Sequence, residues 1–440
     1  MEGSIERRGR ASVDHPRRSR ASLDAPNLYE LQGVVQHYAW GRSADESMIA
    51  KLLASRGDEV DATKPFAELW MGTHSNGPAS VKLNGEQVML KDVLGGDLPF
   101  LLKVLSVNTA LSIQSHPSKA LAEKLHRERP DIYKDPNHKP EMAIALSHFE
   151  ALCGFCSVSE LESTLRDVPE LATCCGQDVV DRYLAVPADH AAEKKRVLKE
   201  LFTSLMTVDQ DTASTVVQSL VDRLSRAERE LTPRERLVLR LQDEYPLDIG
   251  VLSSYLLNYV CLESGEAIAL GANEPHAYLA GELVECMVRP FVSLSDFDSL
   301  HHFHSHTHSL SFGTFQATSD NVIRAGLTPK FKDVNALCSS LTYAQGACPV
   351  MQGREVARGL WLYRPEFDEF EVWKMELTDE GSLSLPRTKG PVIAFCLSGV
   401  GSINNKSVRK GSIIFIPEGT PVKVRGNLVM WAASENGKGW

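Results

Sequence analysis

The chain has 440 residues, 43% of them hydrophobic and 24% charged, with a formal net charge of −10 and a pI near 5.8. Length and apolar content predict about two or three soluble domains with a sizeable core. The acidic balance excludes general nucleic-acid binding, and without an apolar run of about 18 residues there is no transmembrane helix to place in a membrane.

Residues 1–27 are Arg-rich and lack the apolar centre of a secretory signal, while Glu2, Glu6 and Asp14 oppose a transit peptide. They read as a disordered, solvated tail on a cytoplasmic protein. A near repeat at 10–14 and 20–24 sets Ser12 and Ser22 behind basic residues, a pattern open to a basophilic kinase. From 28 to 157, short apolar runs alternate with Gly, Pro and Asn, and 98–105 and 110–113 read as buried strands. Residues 158–262 change to helical spacing at 159–165, 191–205, 213–231 and 233–245, ending in an apolar helix expected over 250–261. Strand-like text resumes at 266–270. The last part carries strand runs at 392–397, 399–403 and 411–417 with turn residues between them. There Lys410-Gly411-Ser412, a short strand, and Pro417-Glu418-Gly419-Thr420 form the corner pattern of a jelly roll (cupin), where glycines turn tightly between packed sheets.

The fold class is therefore mainly β with a helical insert: two cupin-like (jelly-roll) β domains plus an α-helical domain. The expected divisions are 28–157 with 263–338 for a catalytic β domain, 158–262 for the insert and 339–440 for a C-terminal β domain. Nine cysteines are scattered along the chain, and the one CxxC, Cys153 to Cys156, reads as reduced thiols of an intracellular protein.

Two distant stretches look like halves of one metal site. The first is LSIQSHP at 111–117 followed by NHKPE at 137–141; the second is GANEPHAY at 271–278. Alternate residues of a strand share a face, so Gln114 can point with His116, and Lys139 with Glu141. With His276 they offer two imidazoles, a carboxylate and an amide oxygen. That set suits a divalent metal with an open position better than a closed structural site.

These stretches also carry a family resemblance. In order, the chain contains QHYAWG (36–41), AELWMGTH (67–74), PFLLK (99–103), the metal-site stretches, VECM (284–287) and SDNVIRAGLTPK (319–330). In this ordered set it resembles the zinc-dependent mannose-6-phosphate isomerases of cupin type, the plant enzymes in particular, over nearly all of 28–440. The resemblance implies one zinc per chain on Gln114, His116, Glu141 and His276. It implies that Arg324 sits beside the reacting carbons with Glu285, Lys139 and Tyr278 nearby, and that Ser112, Lys103 and Lys330 line the same cleft. Trp40 and Glu68 lie in matching text without an assigned role. The implied reaction interconverts mannose 6-phosphate and fructose 6-phosphate through an enediol, with Glu285 the first candidate base and Lys139 the second. The implied partner is a small hexose 6-phosphate, and the implied state is a monomer. Two alternatives stand beside this: a cupin metal-dependent dioxygenase, and a non-catalytic sugar-phosphate binder.

The match breaks once, over residues 288–316, where family members run almost directly from the Glu-Cys-Met text into Ser-Asp-Asn-Val. Phe, Ser, Leu and His supply 19 of these 29 residues, and five of the 14 histidines fall here. Pyrimidine-rich codons, a leading Val and a closing Gln are what a retained intron translated in frame would encode. A mobile surface loop is expected, lying between Glu285 and Arg324, which must meet in one cleft. It could spare the site by bulging outward or impair it by displacing Arg324.

Overall fold

Antiparallel pairing builds both sheets in a computed structural model of the chain, which describes residues 28–288 and 321–440. The tail at 1–27, with Ser12 and Ser22, and residues 289–316 of the anomalous stretch lie outside the described residues. The architecture is mainly β with a helical insert, in keeping with the expected class.

One sheet centres on the long strand His276–Val288. Its second half pairs with Phe100–Val107 on one side and Glu141–Ala145 on the other. Its first half pairs with Phe149–Phe155 and, at His276, with Ile113–Ser115. Side chains alternate across such a sheet. Phe100, Leu102 and Val104 therefore enter a core shared with the second sheet, while Leu101, Lys103 and Leu105 face a cleft on the opposite side.

The central strand changes phase at a bulge between Tyr278 and Ala280, next to Gly281 with φ 121°. A Cβ on Gly281 would meet the His148 carbonyl oxygen at 2.5 Å, so a side chain here requires the backbone to move. The extra residue puts Tyr278 and Leu283 in one apolar cluster, although an odd number of positions separates them. For the same reason Tyr278 and Glu285 both face the cleft.

The second sheet holds Glu371–Arg387, Val392–Ile403, Ile413–Ile416 and Pro421–Ser434. Val392, Ala394 and Ile414 fill its own interior, whereas Ile393, Phe395, Ile413 and Trp431 pack on Phe100, Leu102, Val104 and Val284 of the first sheet. The corner at Gly411 is real: it has φ 87°, and a Cβ there would meet the Leu52 carbonyl oxygen at 2.1 Å. Two strands cross the expected divisions. Tyr29–Gln32 pairs with Ile413–Ile416, and Met351–Gln352 pairs with Glu266–Leu270.

Helices Val158–Asp167, Ala191–Thr207, Gln210–Ser225 and Pro233–Glu244 occupy the insert, together with the shorter Pro169–Cys175 and Gln177–Ala185. Ser157, Asp209 and Thr232 cap three of them, and Glu235 closes a capping box with Thr232 behind Pro233. Caps of this kind are each worth about 1 kcal/mol. Leu161, Leu198, Phe202, Val217, Leu220 and Leu241 meet Phe155 and Leu257 in one core that seats the insert on the first sheet.

Three expected elements are corrected. The helix over 250–261 is only Gly250–Ser253 and a tight turn Ser254–Leu256; the strand Leu257–Leu262 follows and pairs with Phe149–Phe155. A short apolar run has no period that separates a buried helix from a buried strand, and here the partner edge decides. The strand expected at 110–113 is Ile113–Ser115, because Leu111 is held in irregular backbone by its N–H bond to Tyr278 O at 2.7 Å. The helix expected over 213–231 runs Gln210–Ser225, set at its start by Asp209.

Candidate metal centre and active site

His116, Glu141 and His276 converge: their ligand atoms all lie within 4.8 Å of one another, and all three residues are buried. His116 Nε2 is 3.2 Å from Glu141 Oε1, and His276 Nε2 is 3.7 Å from Glu141 Oε2. The other ring nitrogens face backbone carbonyls: His116 Nδ1 lies 3.1 Å from Asn321 O and His276 Nδ1 lies 3.0 Å from Glu274 O. A carbonyl oxygen only accepts, so Nδ1 carries the proton in each ring and Nε2 presents a lone pair. Both Nε2 atoms are buried without a hydrogen-bond partner. Burial first, then the neighbouring His116, holds the His276 pKa down at about 4, so the ring is neutral at pH 7. Two lone pairs turned toward a carboxylate repel it, and a cation among them reverses the sign of every contact. The donor set fits a divalent metal.

Gln114 stands beside this trio. Its backbone is in register with His276 on one side and with Arg324 on the other. Lys139 Nζ lies 3.1 Å from Glu141 Oε1.

A second charged row crosses the cleft wall. Trp70, Lys103 and Glu285 are direct cross-strand neighbours. Lys103 Nζ donates to Glu285 Oε2 at 2.9 Å, sits 3.3 Å from Glu68 Oε2 and lies 5.1 Å from the centre of the Trp70 ring. Trp70 Nε1 donates to Glu68 Oε2 at 2.6 Å. Burial pushes the Glu285 carboxyl up, Lys103 pulls it down, and the nearby carboxylates Glu141 and Glu68 push it up again, leaving it raised. Burial opposes the charge on Lys103, yet Glu285 and Glu68 together hold its ammonium more firmly than usual. Burial and then Glu285 and Glu141 raise the Tyr278 hydroxyl, which stays protonated.

The far wall is cationic. Burial lowers Arg324, and burial together with the charge of Arg324 lowers Lys330. Two part-buried cations, one of which disfavours the charge of the other, make a natural seat for an anion. The cleft between these walls has a volume of about 360 Å³ and is lined by Lys103, Ser112, Gln114, Lys139, Glu141, Tyr278, Glu285, Arg324 and Lys330. Every candidate from the sequence lines this cleft except His116 and His276, which reach Glu141. Glu285 and Arg324 share this cleft across the anomalous stretch.

Trp40 and Glu68 also line the cleft, as do Trp70, His74 and Tyr245, which sequence reasoning did not single out. Tyr245 follows the last long helix of the insert, and its hydroxyl donates to Ala110 O at 2.5 Å. Nothing in its local sequence signals that role. For Glu68 and Trp70 the signal was the alternation of Glu68–Met71, a strand whose even positions face Lys103. The CxxC holds no site: all nine cysteines are free, burial pushes Cys156 up to about 12, and the partner of Cys153 is Cys348 rather than Cys156.

Residues 28–158 match the model of the phosphomannose isomerase type I catalytic domain, and residues 178–257 match its helical insertion domain. Mannose-6-phosphate isomerase 1 of Arabidopsis thaliana is 39% identical, over 94% of this chain and 95% of that protein. The chain belongs to the mannose-6-phosphate isomerase family. The isomerase of Cryptococcus neoformans is 37% identical over 91% of this chain and 96% of its own. A zinc-bound crystal structure of a mannose 6-phosphate isomerase superposes with a TM-score of 0.75 at 27% identity, covering 93% of this chain and 99% of that one. A mutant phosphomannose isomerase from Salmonella typhimurium gives the same TM-score of 0.75 at 26% identity. The family's β architecture with a helical insertion is the one described above.

Proposed function

We propose that this chain interconverts D-mannose 6-phosphate and D-fructose 6-phosphate, using one zinc ion held by Gln114, His116, Glu141 and His276. One observation carries the reading. Two buried imidazoles with unpartnered Nε2 atoms converge on Glu141 beside the cleft that holds Arg324 and Lys330, so a metal seat and an anion seat face one small volume.

The reaction moves a proton between C1 and C2 through an enediol. Zinc, when bound, supplies Lewis acidity toward substrate oxygens. Lys330 and Ser112 hold the phosphate, and Arg324 adds fixed positive charge beside the reacting carbons. Glu285 is the base: its burial raises the carboxyl toward the operating pH, the Lys103 ammonium at 2.9 Å favours its carboxylate form, and the proton it takes from one carbon is given to the other, which regenerates the carboxylate. Lys139, tied to Glu141, is the second candidate for that proton. Tyr278 stays protonated, leaving its hydroxyl to donate a hydrogen bond to the bound sugar. The partner is a small hexose 6-phosphate and the working unit a monomer. No helix among the described residues is long and apolar enough to cross a membrane, and free thiols throughout support a cytoplasmic enzyme. The product mannose 6-phosphate would supply GDP-mannose and ascorbate synthesis. Neither the dioxygenase nor the non-catalytic binder is favoured, since the named relatives are isomerases along their whole length.

A coupled assay for fructose 6-phosphate formed from mannose 6-phosphate, run with and without a chelator and after zinc is restored, tests the reading. Absence of a chelator-sensitive, zinc-restored product would overturn it.

A further inference from the structure

Lys139 is carried on irregular backbone between the helix Lys119–Glu128 and the strand Glu141–Ala145. No sheet ladder aims it, so its position depends on the anchors of its neighbours. Asn137 N donates to Asp135 Oδ1 at 2.9 Å, and Asn137 O accepts from the Asn321 side-chain amide. Pro140 O accepts from Val288 N at 3.2 Å. The remaining anchor comes from the other β domain: His138 Nε2 lies 2.6 Å from Glu369 Oε1.

Glu369 is well rooted. It lies between the strands Leu360–Tyr363 and Glu371–Arg387. The next residue, Phe370, is fully buried in the core shared by the two sheets. Glu371 is buried too and accepts hydrogen bonds from Trp373 Nε1 at 3.2 Å and from the backbone of Gly437 and Gly439 at 3.1 Å. The second oxygen of Glu369 is shielded from water and has no hydrogen-bond partner among the described residues. Holding a carboxylate half-satisfied is unfavourable, so the contact with His138 must offset that loss.

We propose that Glu369 is a positioning residue for the reaction. By fixing His138 it sets the adjacent Lys139, and through this contact the C-terminal β domain takes part in catalysis. The proposal rests on the reading of the cleft as the isomerase site.

The test compares Glu369→Ala, Glu369→Gln, His138→Ala and the Glu369→Ala/His138→Ala pair in the full chain loaded with zinc. Glu369→Ala should lower kcat about tenfold and leave KM nearly unchanged. Glu369→Gln, whose amide oxygen still accepts a hydrogen bond, should recover most of that loss. The double variant should be no worse than His138→Ala. A second readout does not use turnover: acetylation of Lys139 by an amine-reactive ester, followed by peptide mass, should speed up several-fold in Glu369→Ala relative to other lysines. Unchanged kcat with unchanged Lys139 labelling would overturn the proposal. So would losses that multiply in the double variant, or a fall in kcat matched by lost zinc and lowered melting, which is the signature of a merely structural residue. If the parent chain shows no isomerase activity, the functional reading fails and the labelling result alone decides the role of Glu369.

Discussion

Lys103→Met probes the buried charge row most directly. Lys103 Nζ lies 2.9 Å from Glu285 and 3.3 Å from Glu68, and all three side chains are nearly excluded from water. At an effective dielectric constant of about 20 these separations correspond to attractions of roughly 6 and 5 kcal/mol, set against the cost of burying three charges. Methionine keeps the length of the side chain and removes the charge, leaving two carboxylates to face each other. The penalty has a ceiling, because a carboxylate can take up a proton instead. With an ordinary glutamate pKa of about 4.3, neutralising one carboxylate at pH 7 costs about 3.7 kcal/mol. Glu68 keeps its bond from Trp70 Nε1 at 2.6 Å, so Glu285 is the group that takes the proton. The expected loss of stability at pH 7 is therefore about 4 kcal/mol. The sign of its pH dependence follows. Glu285 is raised in the parent, and losing Lys103 raises its folded-state pKa further above the unfolded value, so the folded variant binds that proton more tightly than the folded parent does. The deficit relative to the parent then shrinks as pH falls, by about 1.4 kcal/mol per pH unit, to about 1 kcal/mol at pH 5. Urea denaturation followed by tryptophan fluorescence at pH 5, 6 and 7, parent beside variant, measures it. A deficit that stays constant across this range would refute the charge argument and assign the loss to shape. Lys103→Met/Glu285→Gln, which removes one of the stranded charges, should regain most of the stability at pH 7 while remaining inactive.

Three further outcomes are expected. His276→Ala removes one of the two buried Nε2 atoms at the metal seat, so metal analysis after dialysis should find far less than one zinc per chain, and turnover should vanish with it. Arg324→Gln should retain its zinc yet lose about 100-fold or more in kcat/KM, because it removes charge placed for the developing oxyanion rather than a ligand; an equal loss of metal would contradict that division of labour. A chain lacking residues 288–316 should turn over as fast as the parent in the coupled assay, and a clearly faster shortened chain would show that the insertion disturbs the site.

Much of the site was legible from its two-residue spacing, although only Gln114 of one pair and Glu141 of the other stand in strands, with His116 and Lys139 on irregular backbone just beyond them. Gln114 with His116 and Lys139 with Glu141 are two apart, and each pair belongs to the same small region of the cleft or its metal seat. What spacing could not supply is the partner of each Nδ1. Those partners are backbone carbonyls of Asn321 and Glu274, and any residue type offers a carbonyl. The bulge that phases Glu285 with Tyr278 had a trace in the text, a glycine inside an apolar strand at Gly281, but one glycine does not say in which direction a register slips. The misread helix at 250–261 has a different cause. Its leucines and valines suit a buried strand as well as a buried helix, and only the unpaired edge of Phe149–Phe155, formed far earlier in the chain, selects between them.

The placement of Arg324 explains why the site is intact across the break in the family match. If Arg324 were positioned by the chain running on from Glu285, any insertion between them would carry it away. The pairing says otherwise. Ile323–Gly326 lies antiparallel to Ile113–Ser115, with Arg324 opposite Gln114 and Ile323 opposite Ser115. The same short strand places Gln114 opposite His276 on its other side. Leu327 N adds a bond to Asp248 Oδ1 at 2.8 Å, and Asn321 reaches both His116 and the backbone of Asn137. Arg324 thus takes its position from the metal-site strand and from the base of the helical insert, not from Glu285. Closing a longer connection raises its entropic cost only slowly with length, by about 0.6 kcal/mol for each doubling. Local pairing of this extent can absorb that cost. The same geometry says where the chain is vulnerable. Replacing Ile113 or Ser115 with proline would remove a ladder hydrogen bond on the one strand that His276 and Arg324 share, and would loosen the metal seat and the anion seat together.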